Sequence, residues 1–417
     1  METIDQSLHL TVSSRKWLVF GLSMASYTLC GTAATLMPVY LPVVIPEIMH
    51  DTLHQGNISE ERLGEIGAYI NAIFLYGWMF GGLIFGVVSD RIGRVKTLAL
   101  VTALYGLGTF LMVLVPDYLA LICLRFFTGM GVGGVLLVST VFISEIWEER
   151  IRPVMLGILA VSFPIGIVAS GSLNILFSDW RQAFALGIIP ILIGLAVLLF
   201  APESSRWKMS RRVSTANPPR IFDRANRVNI FTGATIFGAV LIGLWGIFSW
   251  LPTWVQTLLK AGSDGQRERG LTMILLGMGG IVGGVVSGFL VKKFGQRRTL
   301  MGAFFGCIVV CGVLFLTNKH FSPVIYIEMG LLALCFGVSQ GALSSYIPEL
   351  FPIAIRATAT GFCFNVGRFF TATAVFFIGS LVAMLGGFGN ALLVFSSPFL
   401  VALLMTWMSR RDDQKIS

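Results

Sequence analysis

Apolar stretches of about 20 residues, long enough to cross roughly 30 Å of hydrocarbon as helices, recur along the whole chain. Twelve can be marked out, at roughly 17–45, 66–88, 97–115, 119–144, 153–177, 182–201, 230–258, 270–291, 299–317, 323–347, 357–384 and 390–408. The pattern predicts an all-α membrane protein with twelve transmembrane helices. The first stretch is too long, and too rich in proline at its end, for the core of a signal peptide. No small-residue cleavage site follows it, so it is read as a retained span.

Composition agrees with the pattern. Hydrophobic residues make up 55% of the chain and charged residues 12%, whereas a soluble domain carries about 25% charged residues on a surface that faces water. The net charge of +9 raises the question of nucleic acid, and the placement of the charges answers it. With the N-terminus inside, 22 of the 30 Lys and Arg fall in cytoplasmic segments. Six lie in outer loops (Arg62, Arg181, Lys260, Arg267, Arg269, Lys319), and Arg125 and Arg368 lie within spans. This bias predicts two cytoplasmic termini in a cell inner membrane. The basic excess then reports orientation and contact with anionic lipid head groups, with no nucleic-acid partner.

All six cysteines fall within spans, as small buried hydrophobes do. Cys307 and Cys311 share a helix face, but no histidine lies near them, so no metal site is expected. The four histidines sit in the head or outer loops and offer no relay through the membrane. The sequon Asn57-Ile58-Ser59 lies in an outer loop. No Gly-Lys dipeptide occurs, so there is no phosphate-binding loop for ATP. Neither enzyme chemistry nor a cofactor is implied.

The chain repeats. The polar segment 203–229, with Pro218-Pro219 and seven basic residues, divides the spans six and six. Tyr40-Leu41-Pro42 answers Trp250-Leu251-Pro252, and Gly86, Gly93 and Lys96 answer Gly288, Gly295 and Arg298. Glu145, Arg152 and Gly157 answer Glu349, Arg356 and Gly361 with identical internal spacing. Three matches in order predict two pseudo-symmetric six-helix bundles, residues 1–202 and 230–417, joined by a cytoplasmic linker at 203–229 and related by an axis along the membrane normal.

The loop Gly86-Val-Val-Ser-Asp90-Arg91-Ile-Gly93-Arg94-Val-Lys96 is similar to the signature of the major facilitator superfamily. Its second copy, from Gly288 to Arg298, keeps the glycines but has Lys292 in place of the acid. Arg125-Phe-Phe-Thr-Gly129-Met-Gly131-Val-Gly133-Gly134 resembles the family's span-4 pattern. Pro202-Glu203-Ser204-Ser205-Arg206-Trp207 resembles the motif after span 6 in its sugar and organic-ion branches. Pro348-Glu349-Leu350-Phe351-Pro352 with Arg356 is similar to the span 10–11 loop of organic-acid symporters. The resemblance covers nearly the whole chain. It implies a transporter of alternating access, with spans 1, 4, 7 and 10 around a central cavity and charged latches at the cytoplasmic face.

The latch candidates are Gly86, Asp90, Arg91, Gly93, Arg94, Glu145, Arg152, Glu349 and Arg356, with Glu145/Arg152 and Glu349/Arg356 as matching latches on spans 4–5 and 10–11. Asp90 is expected to face the N-terminus of span 11, and Arg94 to pair with Glu145. The alternative is that the basic residues only fix topology. Gly129, Gly131 and Gly134 mimic a dinucleotide fingerprint, but no strand precedes them. Gly82/Gly86, Gly280/Gly284 and Gly284/Gly288 read as helix-packing pairs.

Ionisable groups inside the bilayer are costly and mark function. Arg368, near the midplane, suits the carboxylate of a substrate, with Asn365 on the same face. Glu328 is the candidate for a coupling proton and Arg125 its modulator. The alternatives are a carboxylate wetted from outside and hydrogen-bond anchors between helices. Tyr27, Thr28, Thr32, Trp245, Ser249, Trp250, Gln340 and Tyr346 are candidate wall residues, and Trp250 also suits an aromatic belt. Organic-acid symporters of the family carry an Asp pair in span 1, where this chain reads Tyr27-Thr-Leu-Cys-Gly-Thr-Ala-Ala-Thr35. The expectation is a monomer that imports a small organic acid or sugar-like metabolite together with H+. Rival readings are an uncoupled facilitator or an efflux antiporter on the same scaffold.

Overall fold

The computed structural model describes residues 2–53, 59–210, 222–224, 226–260, 262–352 and 355–409. Asn57, Pro218 and Pro219 fall outside these residues. The described residues are helical with no strand. Twelve spans cross: Arg15–Met49, Glu60–Ile92, Arg94–Leu114, Tyr118–Ile146, Val154–Leu176, Trp180–Phe200, Arg227–Thr257, Gln266–Phe294, Gln296–Thr317, Val324–Glu349, Thr358–Leu385 and Phe388–Met408. They are numbered 1 to 12 below. Leucine, isoleucine, valine and phenylalanine cover their outward faces, as at Leu83, Val87, Leu198, Leu199 and Phe289, because those faces meet lipid.

Local chemistry sets where spans begin and break. Asp117 accepts the Ala120 amide at 2.8 Å and starts span 4, satisfying one of the orphan donors at a helix N-terminus. Span 7 stops at Phe248 and resumes at Leu251, where Pro252 occupies the first turn and needs no hydrogen bond. Span 2 ends at Gly93, whose φ of 109° suits glycine.

Spans 2 and 4 pack backbone to backbone. A Cβ at Gly77, Gly81, Gly129 or Gly133 would run into the main chain of the facing helix. The glycine run of span 4 is therefore a packing face. The matched triplets make different contacts. Tyr40 donates to the Phe177 carbonyl at 2.7 Å and ties span 1 to the end of span 5, while Trp250 stacks on Phe388 at the start of span 12.

The two bundles meet unevenly. In the outer half Gly64 lies against Gly379, Gly67 against Leu41 and Trp250, and Gly171 against Gly270. Tyr69 packs on Phe376, with ring centroids 4.8 Å apart. Tyr76 and Thr373 share a hydrogen bond of 2.8 Å near mid-membrane, and Gln266 donates to the Asn174 carbonyl at 2.8 Å. Toward the end that carries the termini, Gly157, Gly284, Gly288 and Gly361 have nothing within 4 Å of where a Cβ would stand. The bundles are in contact at the end away from the termini and apart at the end that carries them. The packing expected of Gly288 is absent, with nothing near where its Cβ would stand, whereas the Gly280 and Gly284 carbonyls lie against Gly337 and Gly341 of span 10. Of the other pairs, Gly82 approaches Asn365, Gly86 approaches Leu137 and Gly280 approaches Pro164.

Candidate functional site

Where the bundles meet near mid-membrane, aromatic rings from both halves form a chain. Tyr27 of span 1 lies 5.7 Å from Phe163 of span 5, and Phe163 lies 5.7 Å from Trp78 of span 2. Trp78 stands edge-on to Trp245 of span 7 at 5.3 Å, and Phe74 closes the group 6.4 Å from Trp245. On the opposite wall Phe237 and Phe364 stack at 4.1 Å. The Arg368 guanidinium sits between these walls, 5.7 Å from the Trp78 ring and 5.9 Å from Phe237. Such cation–π contacts hold the charge without neutralising it. No carboxylate pairs with Arg368 among the described residues. Its five donors are left for a ligand.

The other predicted wall residues divide. Asn365 donates to the Gly361 carbonyl at 2.9 Å, and its own carbonyl oxygen is buried, unpartnered and turned toward Gly82. Tyr27 and Arg368 lie within electrostatic reach of one another. The Thr32 hydroxyl is taken up by the Thr28 carbonyl one turn back at 3.2 Å. Gln340 has a buried, unpartnered amide nitrogen. Trp250 stands apart from the chamber: it is fully buried and forms part of the outer closure with Phe388, Leu41 and Gly67. A lipid-facing aromatic belt is equally excluded for it, because no ring surface is left to meet the head groups.

Arg125 is 1% exposed and stacks over Phe74 at 4.0 Å. One guanidinium nitrogen donates to the Ala33 carbonyl at 3.4 Å, and Nε and the other Nη have no partner. Glu328 is not brought near either arginine. It accepts from Asn318 at 2.6 Å, where the end of span 9 meets the outer end of span 10.

At the face that carries the termini Arg94 is the hub. It donates to Glu145 at 2.7 Å and to Asp90 at 2.7 Å. Asp90 is 74% exposed and does not face span 11, because the inner side is open. Glu145 is held by Arg94, so the expected Glu145–Arg152 latch is not formed; the carboxylate nearest Arg152 is Glu149, at 3.9 Å. Arg91 is exposed, and Arg356 donates to the Phe351 carbonyl at 3.3 Å. Glu349 is exposed at the end of span 10.

Sequence reasoning missed the reason for Gly93. The Glu203 carboxylate accepts the amides of Arg94, Val95 and Ser204 at 2.9, 3.2 and 2.9 Å. It caps span 3 in the space that a Cβ on residue 93 would fill. Trp207 donates its indole N–H to the Asp90 carbonyl at 2.9 Å. Among the described residues no side chain caps the corresponding start of span 9 at Gly295. There Arg297 donates to the Thr406 carbonyl at 3.2 Å and to that of Trp407, closing the end of span 12.

Twelve spans, a chamber between two bundles and access from one side define a polytopic membrane transporter, not an enzyme. The chain belongs to the Major Facilitator Superfamily, whose sequence model matches residues 17–374. It is similar to the cis,cis-muconate transport protein of Acinetobacter baylyi, 28% identical over 374 residues covering 86% of this chain and 87% of that one. It is also similar to the sialic acid transporter NanX of Escherichia coli, 24% identical over 297 residues covering 69% and 71%. The fold matches the partially occluded inward open xylose transporter XylE from E. coli with a TM-score of 0.74 and 20% identity, covering 95% of this chain and 98% of that one.

Proposed function

We propose that the protein imports a small organic acid with a flat or unsaturated body by alternating access. The carboxylate is held by Arg368 and the body lies between Trp78, Trp245, Phe163 and Phe237. The observation that carries this reading is a mid-membrane guanidinium among aromatic rings with no carboxylate beside it. Arginine's fork suits a carboxylate, and the rings give apolar area at little entropic cost. Muconate and sialic acid, the cargoes named for two relatives, both bear a carboxylate. A neutral sugar fits less well at a site walled mainly by the rings of Trp78, Trp245, Phe163 and Phe237.

The charge bias across the loops supports cytoplasmic termini in a cell inner membrane, and a chamber formed within one chain supports a monomer. Coupling to H+ belongs to the same proposal; Glu328, its expected carrier, accepts from Asn318 at the outer end of span 10. Tryptophan fluorescence of the purified protein, titrated with cis,cis-muconate, benzoate and xylose, tests the site. Quenching is expected with the two acids and is expected to weaken at least about tenfold in Arg368→Gln. Equal responses to xylose in both forms refute the assignment.

A further inference from the structure

The turn between spans 8 and 9 answers the loop that carries Asp90 in the first bundle, but Lys292 stands where that acid would be. Four cations, Lys292, Lys293, Arg297 and Arg298, fall within seven positions. Among the described residues no carboxylate pairs with any of them. Arg297 is taken up by the Thr406 and Trp407 carbonyls. Lys292, Lys293 and Arg298 are exposed, and the Lys293 ammonium lies 5.2 Å over the Phe294 ring. Like charges this close repel one another, and no described side chain offsets them.

Beside these cations lies a groove of about 360 Å³, lined by Leu290 and Phe294 of span 8, Arg298 and Gly302 of span 9, and Leu334 and Val338 of span 10. Thr299 also lines it but spends its hydroxyl on the Gly295 carbonyl, so Arg298 is the polar group left at the mouth. Spans 8 and 10 meet backbone to backbone behind the groove at Gly283 and Gly337, and Gly306 meets Cys335 where spans 9 and 10 join. Gly302 has nothing within 4 Å of where a Cβ would stand. Gly302 and Val338 are six and eleven residues from the ends of their spans, or ~9 and ~16 Å at helical rise. The groove therefore runs from head-group level into the hydrocarbon. Cations at the mouth and apolar walls further in suit a molecule with an anionic head and a long tail.

We propose that this groove binds an anionic phospholipid of the leaflet on the side of the termini. Arg298 and Lys293 hold its phosphate, and one acyl chain lies between spans 8, 9 and 10. Diffuse attraction of basic loops to a charged membrane needs only the cations, whereas this site needs the groove as well. It does not depend on what the chamber carries. The lipid brings to the second bundle the negative charge that Asp90, Glu145 and Glu203 bring to the first. Its contacts are made by side chains, and span 9 stays tied to span 12 by Arg297 through neutral carbonyls.

Native mass spectrometry of the full chain, titrated in detergent with phosphatidylglycerol or phosphatidylcholine, tests the proposal. The first phosphatidylglycerol is expected to bind at least about fivefold more tightly, the worth of about one basic contact near an anionic surface. Arg298→Gln is expected to abolish that preference. Gly302→Leu fills the groove where a side chain has room and is expected to weaken the first phosphatidylglycerol about as much, with every cation kept. Arg150→Gln removes another exposed cation, from the first bundle, and is expected to change nothing. Monodisperse elution checks that each variant is folded. Equal binding of the two lipids overturns the site, as does undiminished phosphatidylglycerol binding by Gly302→Leu. A loss in Arg150→Gln as large as in Arg298→Gln reduces the effect to surface charge and overturns it too. Competition by glycerol 3-phosphate as strong as by the whole lipid would assign the cations to free phosphate. A dimer that Gly302→Leu takes apart would assign the groove to a second copy of the chain. Either result refutes the lipid reading.

Discussion

Arg368, Asn365 and Tyr27 stand out in the sequence because a charged or polar group inside an apolar run costs free energy and needs a reason. Trp78, Phe163, Phe74 and Phe237 do not stand out, since an aromatic side chain in an apolar helix looks like any packing residue. One signal was available: tryptophan concentrates at the membrane interfaces, and Trp78 and Trp245 sit well inside spans 2 and 7. Glu203 was legible only as part of a family motif. Its partners are backbone amides of Arg94 and Val95, which leave no trace in residue identity. Removing it strips a charge-assisted cap from span 3. Glu203→Ala is expected to lower stability by about 1–2 kcal/mol, with Glu203→Gln losing less, as read from thermal unfolding in detergent.

Helix number and order follow from the hydrophobic pattern, because lipid imposes one length on every crossing. Which glycines are contacts does not follow, because it depends on which face meets which helix. Gly77, Gly81, Gly129 and Gly133 bring spans 2 and 4 together, whereas Gly288 fits the same small-residue spacing and has nothing near where its Cβ would stand. Gly133→Val should therefore force a pair of helices apart at a cost of about 1–3 kcal/mol, visible as lost monodisperse protein on size exclusion. Gly288→Ala should leave folding intact. Equal loss in both would mean that spacing alone, not partner geometry, decides packing here.

Across the molecule, closure outside and opening inside make accessibility directional. In a background lacking the native cysteines, Gly361→Cys is expected to react with an impermeant maleimide from the cytoplasmic side. Adding Gly379→Val, whose side chain meets the Glu65 backbone, is expected to pry the outer contact apart and slow that labelling several-fold by population shift. Unchanged labelling would place the outer contact outside the switching mechanism. The two inner corners of the fold differ in another respect. In the first bundle the corner is an ionic clasp, with carboxylates of Glu145, Asp90 and Glu203 gathered around Arg94 and its amide. In the second, Arg297 grips only carbonyl oxygens at the end of span 12. Dissolved electrolyte weakens attraction between opposite charges far more than it weakens a grip on neutral dipoles. Raising ionic strength should therefore speed amide exchange around residues 93–96 and leave 295–299 unmoved, so that one half of a nearly symmetric machine senses the saltiness of the cytosol and the other does not.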